Sequence, residues 1–189
     1  MEVTNHWASL LVLSVNLVAL TVLLIGFSNK FGKRAPLPAM IAQYRIVSLA
    51  QAKALAPFLL MTELGVVALG VCFMVFGQWG SVSALLLAVY LSYCALLTSA
   101  KLRAIPMQDC GCSLANHQEG ANVIAILTRN GLLAVLLVFA GMCSASVALV
   151  APTVVLSLLV SVLSIVALTG FEALMVNAEK LKGLKVYHG

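Results

Sequence analysis

Long apolar runs alternate along this chain with short segments that hold nearly all of its charge. A helix needs roughly 20 predominantly apolar residues to cross the hydrocarbon core of a membrane. The apolar runs approach that length, and the last of them follows Pro152, a residue that is favourable in the first turn of a helix. The pattern predicts five membrane-spanning helices, at about residues 8–27, 55–76, 81–100, 122–150 and 153–176.

The segment between the first two predicted spans, residues 28–54, is basic and contains Pro36 and Pro38. Between Ala39 and Leu55, apolar residues recur loosely at helical spacing. This spacing favours a short amphipathic helix at the membrane interface, with an ordinary solvated basic loop as the alternative.

Composition agrees with a chain that lies mainly in lipid. The sequence is 62% hydrophobic and 9% charged, which leaves too few polar residues to cover a soluble globule. We therefore expect one all-α integral membrane domain over residues 1–189. The first apolar run follows Met1 and Glu2 without a basic leader, so we expect it to remain as a span. The net charge of +5 comes from the connecting segments, and no nucleic-acid-binding motif accompanies it.

A polar connector at 101–121, which we call the redox loop, joins the third and fourth predicted spans and contains Cys110, Gly111 and Cys112. Two thiols separated by one glycine can close on each other only through a tight ring, and Gly111 has the backbone freedom for that turn. A strained, accessible disulfide is easily reduced, and such disulfides tend to be catalytic or regulatory. The pattern favours redox chemistry with Cys110 and Cys112 as catalytic residues. The alternatives are a metal-binding pair and two unpaired cysteines.

Two further residues of the redox loop bear on these alternatives. A metal site needs additional ligands at short spacing, and Asp109 and His117 are the only nearby candidates, so no metal site is predicted. His117 is a candidate for accepting a thiol proton, although a histidine in such a loop is more often simply exposed to solvent.

Charged and polar side chains also interrupt the apolar runs. Glu63 lies in the second predicted span and Arg129 in the fourth, at similar depths of about 12–15 Å from the same face at 1.5 Å per residue. Antiparallel neighbours could pair these charges, either as a packing device or as part of a functional cavity. In the functional interpretation, Glu63, Arg129 and Asn130 border a quinone pocket, and Glu63 also handles protons.

Single cysteines lie in three of the predicted spans, at Cys72, Cys94 and Cys143. Buried cysteines mostly behave as small hydrophobic residues. We expect these three to be buried and to serve in packing.

Several of these motifs together resemble a known family. They are Gly26 to Phe31, Glu63-Leu64-Gly65, Asp109 to Cys112, and Thr128 to Leu133. They are similar to the MauE methylamine-utilisation family within the DoxX-like membrane proteins, and the resemblance covers the first four spans. It implies a role in maturing methylamine dehydrogenase, whose small subunit is rich in disulfides, together with a thioredoxin-like MauD partner.

The predicted architecture is also similar to vitamin K epoxide reductase and DsbB-type proteins, which are four-helix transmembrane bundles. This chain would add a fifth, C-terminal span. Those proteins pass electrons from a thioredoxin-like partner to quinone, and Cys110 and Cys112 would be the equivalent redox pair. The resemblance implies a membrane thiol–disulfide oxidoreductase with quinone as electron acceptor. A non-catalytic scaffold for the maturation partner and a small transporter are the alternatives.

Two lines of reasoning give opposite orientations of the chain in the membrane. In a five-span chain, the segments 28–54 and 101–121 share a face with the C-terminal tail, and nearly all Lys and Arg residues lie there. The positive-inside rule assigns that face to the cytoplasm. The resemblance implies instead a protein of the bacterial inner membrane whose redox loop faces the periplasm. We adopt the periplasmic assignment because the disulfide chemistry requires it.

Overall fold

A computed structural model describes residues 2–103, 114, 123–144, 147 and 150–187. All secondary structure in this part of the chain is helical, and five of the helices are long and apolar enough to cross a membrane. The six helices are α1 (Glu2–Gly32), α2 (Leu37–Gln43), α3 (Leu49–Val75), α4 (Trp79–Leu102), α5 (Val123–Cys143) and α6 (Ala151–Tyr187). The predicted class, an all-α integral membrane protein with five spans, is confirmed.

The boundaries of the helices differ from the predicted ones in ways that matter for the polar residues. Helix α1 continues past residue 27 to Gly32, so Lys30 lies in its last turn rather than in a loop. Helix α5 ends at Cys143, short of the predicted end at 150. The last span begins at Ala151, which puts Pro152 in the first turn as predicted.

The stretch from Ala39 to Leu55, where a short amphipathic helix was predicted, contains parts of two helices. Two separate helices occupy this region, because α2 ends at Gln43 and α3 already begins at Leu49. The break has a local cause in the cap of α3. The Ser48 backbone N–H donates to the Gln51 side chain at 2.9 Å, and the Gln51 backbone N–H donates to Ser48 Oγ at 3.3 Å. This capping box starts a new helix and thereby extends the second span toward the interface.

Helix α1 is the centre of the bundle. It packs against α3, α4, α5 and α6, and it is the most buried of the five spans, whereas α6 is the least buried. Hydrogen bonds in the apolar interior hold α1 to its neighbours. Tyr90 on α4 donates to the Ala19 carbonyl at 2.7 Å, and Asn16 Nδ2 donates to Ser83 Oγ at 3.0 Å. Such contacts satisfy polar groups that lipid could not.

The bundle has two chemically different ends. At one end, Thr153 Oγ1 lies 3.4 Å from His6 Nδ1, which brings the start of α6 to the start of α1. The other end, which we call the charged end, gathers the end of α1, α2, the start of α3 and the ends of α4 and α6. The basic residues of the described loops and of the ends of α1, α3 and α4 lie there: Lys30, Lys33, Arg34, Arg45, Lys53, Lys101 and Arg103.

Candidate functional site

The polar residues of the charged end form two buried clusters. The first joins three helices through Lys30 on α1, Glu63 on α3 and Tyr93 on α4. Glu63 Oε1 accepts hydrogen bonds from both Lys30 Nζ and the Tyr93 hydroxyl, and Lys30 Nζ lies 3.0 Å from the Tyr93 oxygen. The side chains of Lys30 and Glu63 are only 5% and 4% exposed, so this ion pair lies well inside the protein. The second carboxylate oxygen of Glu63 has no hydrogen-bond partner within the described residues.

The second cluster joins α5 to α6. Arg129 Nη1 lies 2.5 Å from Glu172 Oε1, and both side chains are almost fully buried. Arg129 also donates from Nε and Nη2 to the side-chain oxygen of Asn130, at 3.2 and 3.0 Å. Several contacts therefore fix the orientation of this guanidinium group.

The predicted pairing of Glu63 with Arg129 is wrong, because the structure gives each residue another partner. Lys30 reaches Glu63 since α1 is longer than its apolar run suggested. Glu172 reaches Arg129 since α6 packs beside α5 at this end. Sequence reasoning missed Lys30, Tyr93 and Glu172. For Glu172 a signal existed, namely a lone carboxylate within the last apolar run, which is the same signal that drew attention to Glu63.

The predicted redox residues Cys110, Cys112 and His117 lie outside the described residues, so their roles remain predictions. Leu114, two positions after Cys112, is described. Its backbone N–H donates to Glu172 Oε2 at 2.8 Å. The carboxylate of Glu172 thus binds Arg129 through one oxygen and the redox loop through the other.

Two cavities adjoin the clusters. A small cavity of about 20 Å³ is lined by residues of both, including Lys30, Tyr93, Arg129 and Asn130. A space of that size holds about one water molecule. A larger apolar cavity of about 350 Å³ has Lys30 and Tyr93 in its lining as well. Lys30 and Tyr93 therefore stand between the two spaces.

The three cysteines of the spans do not lie where packing residues were expected. Cys72 and Cys143 are exposed, and Cys94 is partly exposed. Apolar periodicity could not reveal this, because the lipid-facing side of a membrane helix is as apolar as the side facing the bundle. Neither Cys72 nor Cys94 is paired in a disulfide. Over the described residues, no three His, Cys, Asp or Glu side chains come together in a way that could hold a metal ion.

Comparison with known families gives a match over most of the chain. The family described as Methylamine utilisation protein MauE matches residues 7–144. The chain belongs to the MauE family. This MauE-family protein is a multi-pass membrane protein involved in methylamine utilisation.

The matched region of the MauE-family chain runs from α1 through α5, and it includes Lys30, Glu63, the Cys110–Cys112 segment and Arg129. Helix α6, with Glu172, follows the matched residues. No curated protein and no solved structure gave a significant match to the chain.

Proposed function

We propose that this MauE-family protein is a membrane thiol–disulfide oxidoreductase that supports disulfide formation in the small subunit of methylamine dehydrogenase. In this proposal the Cys110–Cys112 pair exchanges disulfides with a thioredoxin-like MauD partner and passes electrons to quinone. The protein lies in the bacterial inner membrane, with the redox loop and the charged end of the bundle on the periplasmic side.

The observation that carries this proposal is the attachment of Leu114 to Glu172. The carboxylate that accepts the Leu114 N–H also pairs with Arg129 inside the bundle, so the redox loop is tied to a buried charge network close to its cysteines in sequence. A charged hydrogen bond to a loop backbone is worth roughly 1.5–3 kcal/mol, enough to favour one position of the Leu114 backbone. A scaffold would gain little from fixing this segment. A dithiol that must approach a partner's sulfur in line reacts faster when a nearby attachment helps to orient it.

The exchange step balances with the groups that the proposal names. A thiolate of the reduced partner attacks one sulfur of the Cys110–Cys112 disulfide, which forms a mixed disulfide and releases the other cysteine as a thiolate. The partner's second thiolate then attacks the mixed disulfide. The partner leaves as a disulfide, and Cys110 and Cys112 remain as a dithiol. His117 is the nearest candidate in sequence to hold the proton of a released or attacking thiol.

Restoring the Cys110–Cys112 disulfide requires the removal of two electrons and two protons. A bound quinone supplies a two-electron, two-proton acceptor that is soluble in the membrane. The residues of the charged end suit the proton part of this chemistry. Tyr93, Lys30 and Glu63 form a continuous hydrogen-bonded set, and Glu63 keeps one oxygen without a partner among the described residues.

Growth on methylamine separates this proposal from a scaffold. In a host strain that lacks its own copy, the Cys110→Ala/Cys112→Ala variant should fail to support growth while reaching the wild-type level in the membrane. The Cys72→Ala/Cys94→Ala/Cys143→Ala variant is the matched control and should support growth, because it keeps the redox pair. Growth of the Cys110→Ala/Cys112→Ala strain at the wild-type rate would establish a scaffold instead.

A further inference from the structure

The larger cavity of the charged end has exposed apolar side chains at its mouth and buried polar groups at its inner end. Its walls come from the end of α1, from α2, and from α3 and α4. The outer part is formed by exposed apolar side chains such as Phe58, Leu55 and Leu96. The inner part reaches Lys30, which is 4% exposed, and Tyr93. A molecule dissolved in the membrane could enter this cavity without crossing water.

The size and lining of the cavity define the chemical class of its ligand. A cavity of about 150 Å³ already accepts a single benzene ring, so the volume of about 350 Å³ found here suits a substituted ring with part of a tail. The walls are overwhelmingly apolar, and the Lys30 ammonium group lies at the inner end, where it also donates to Glu63 and Tyr93. A flat apolar ring that carries a carbonyl acceptor matches this lining.

From this geometry we infer that the cavity between α1, α2, α3 and α4 is the quinone site, with the ring carbonyl directed at the Lys30 ammonium group. The inference rests on the proposed function, which requires a membrane-soluble acceptor. It places the ring on the α2 side of Lys30 and Tyr93. Arg129 and Asn130 then lie on the other side of those two residues, along the small cavity of about 20 Å³, which is too small for a ring.

The position of Lys30 and Tyr93 gives this assignment a mechanistic consequence. They border the proposed ring site on one side and the small cavity of the Arg129 cluster on the other. Arg129 pairs with Glu172, which holds Leu114 of the redox loop. The small cavity thus lies between the residues that border the proposed ring site and the cluster that holds Leu114.

A second large cavity provides an internal control. It lies between α1, α5 and α6 at about 620 Å³, is also mainly apolar, and lacks charged side chains in its lining. Leu59 lines the proposed quinone site and Leu136 lines this second cavity, and both leucines are half-buried. Tryptophan at either position adds similar bulk to a space that can receive it. The two substitutions therefore differ mainly in which cavity they fill.

The test is photolabelling of the full-length protein in nanodiscs with a short-tailed azido-quinone. Labelled peptides should come from Leu37–Gln43, Leu49–Val75 or Trp79–Leu102. Leu59→Trp should lower quinone affinity about tenfold or more, while Leu136→Trp changes it by less than about twofold. Leu55→Trp, on the outer wall of the same cavity, is the second blocking variant if Leu59→Trp does not fold. Labels that fall on α5 or α6, or loss of affinity in Leu136→Trp alone, would overturn the assignment.

Two further measurements show whether a negative result contradicts the quinone site or the proposed function. An excess of unlabelled quinone should suppress labelling, whereas decanoic acid should not. Suppression by decanoic acid would mark the cavity as a general lipid site and overturn the inference. One round of disulfide exchange between oxidised wild-type protein and a reduced thioredoxin-like partner should go to completion without quinone. If wild-type protein itself fails in that exchange, the proposed function fails, whatever the labelling shows.

Discussion

Lys30, Glu63 and Tyr93 illustrate how single residues decide the chemistry of this bundle. An unpaired charge inside a membrane protein is costly, and the structure avoids this cost by bringing Lys30 and Glu63 together from different helices. The Arg129 guanidinium is balanced in the same way by Glu172. Each carboxylate has a partner besides its cation, the Tyr93 hydroxyl for Glu63 and the Leu114 N–H for Glu172. The ion pairs therefore connect the helices and also hold the Tyr93 hydroxyl and the Leu114 N–H in place.

The Arg129–Glu172 pair leads to a prediction that separates stability from function. Arg129→Met and Glu172→Met should each lower the free energy of unfolding by about 3–5 kcal/mol, because each leaves a buried charge without its partner. The double variant removes both charges and should recover most of that loss. Chemical unfolding in detergent micelles measures this, with Asn177→Met on the exposed side of α6 as the control.

Function should not recover in the same double variant. Without Glu172 the Leu114 N–H loses its acceptor, a change worth about 1–3 kcal/mol, so disulfide exchange with the partner should slow by about tenfold. Additive losses of stability in the double variant would show that the two charges do not act as a pair. Exchange at the wild-type rate would show that the loop attachment has no role in the chemistry.

At the level of the helices, close contact between α1 and α3 depends on a small residue. A Cβ atom placed on Gly70 of α3 would lie 3.0 Å from Leu20 Cδ1 of α1, whereas a Cβ atom on Gly65 would meet nothing within 4 Å. Leucine at position 70 must therefore displace Leu20, which is buried in the core, or push the two helices apart.

Gly70→Leu should lower the free energy of unfolding by about 1–3 kcal/mol through overpacking. Gly65→Leu is the matched control on the same helix and should be neutral or slightly stabilising, because it replaces glycine by a better helix former in open space. The measurement is unfolding of both variants in the same detergent. Equal losses would mean that the loss of glycine itself, and not the contact with Leu20, causes the effect.

The sequence predicted the number and approximate positions of the spans because membrane helices have a strong signal in length and hydropathy. It did not predict where helices end at polar residues. Lys30 reads as a loop residue until its partner Glu63 is known, and the start of α3 depends on the Ser48–Gln51 cap. The sequence also could not predict which residues pair between helices. The spacing along the chain encodes neither the Lys30–Glu63 pair nor the Arg129–Glu172 pair. The sequence also did not show which apolar face of a helix contacts lipid. Cys72, for example, was expected to be buried but is exposed.

For the whole molecule, the charged end defines an orientation that labelling can test. Gln43 lies exposed on α2 at this end, and Gln78 lies exposed in the turn between α3 and α4 at the other end. In a variant that has no other cysteines, Gln43→Cys should react with a membrane-impermeant maleimide added to intact spheroplasts. Gln78→Cys should react only after lysis. The opposite result would place the charged end in the cytoplasm, in agreement with its excess of Lys and Arg, and would require a cytoplasmic electron donor.

Oxidation of a partner dithiol tests the central claim most directly. Oxidised protein in liposomes is mixed with an excess of reduced thioredoxin-like partner, and the partner's disulfide is counted by alkylation and mass spectrometry. Wild-type protein should oxidise about one partner molecule per chain without quinone, because each Cys110–Cys112 disulfide accepts the two electrons of one partner dithiol. With quinone in the liposomes, the wild-type protein should oxidise many partner molecules per chain. A partner that stays reduced with wild-type protein, or is oxidised equally well by the Cys110→Ala/Cys112→Ala variant, would contradict the account.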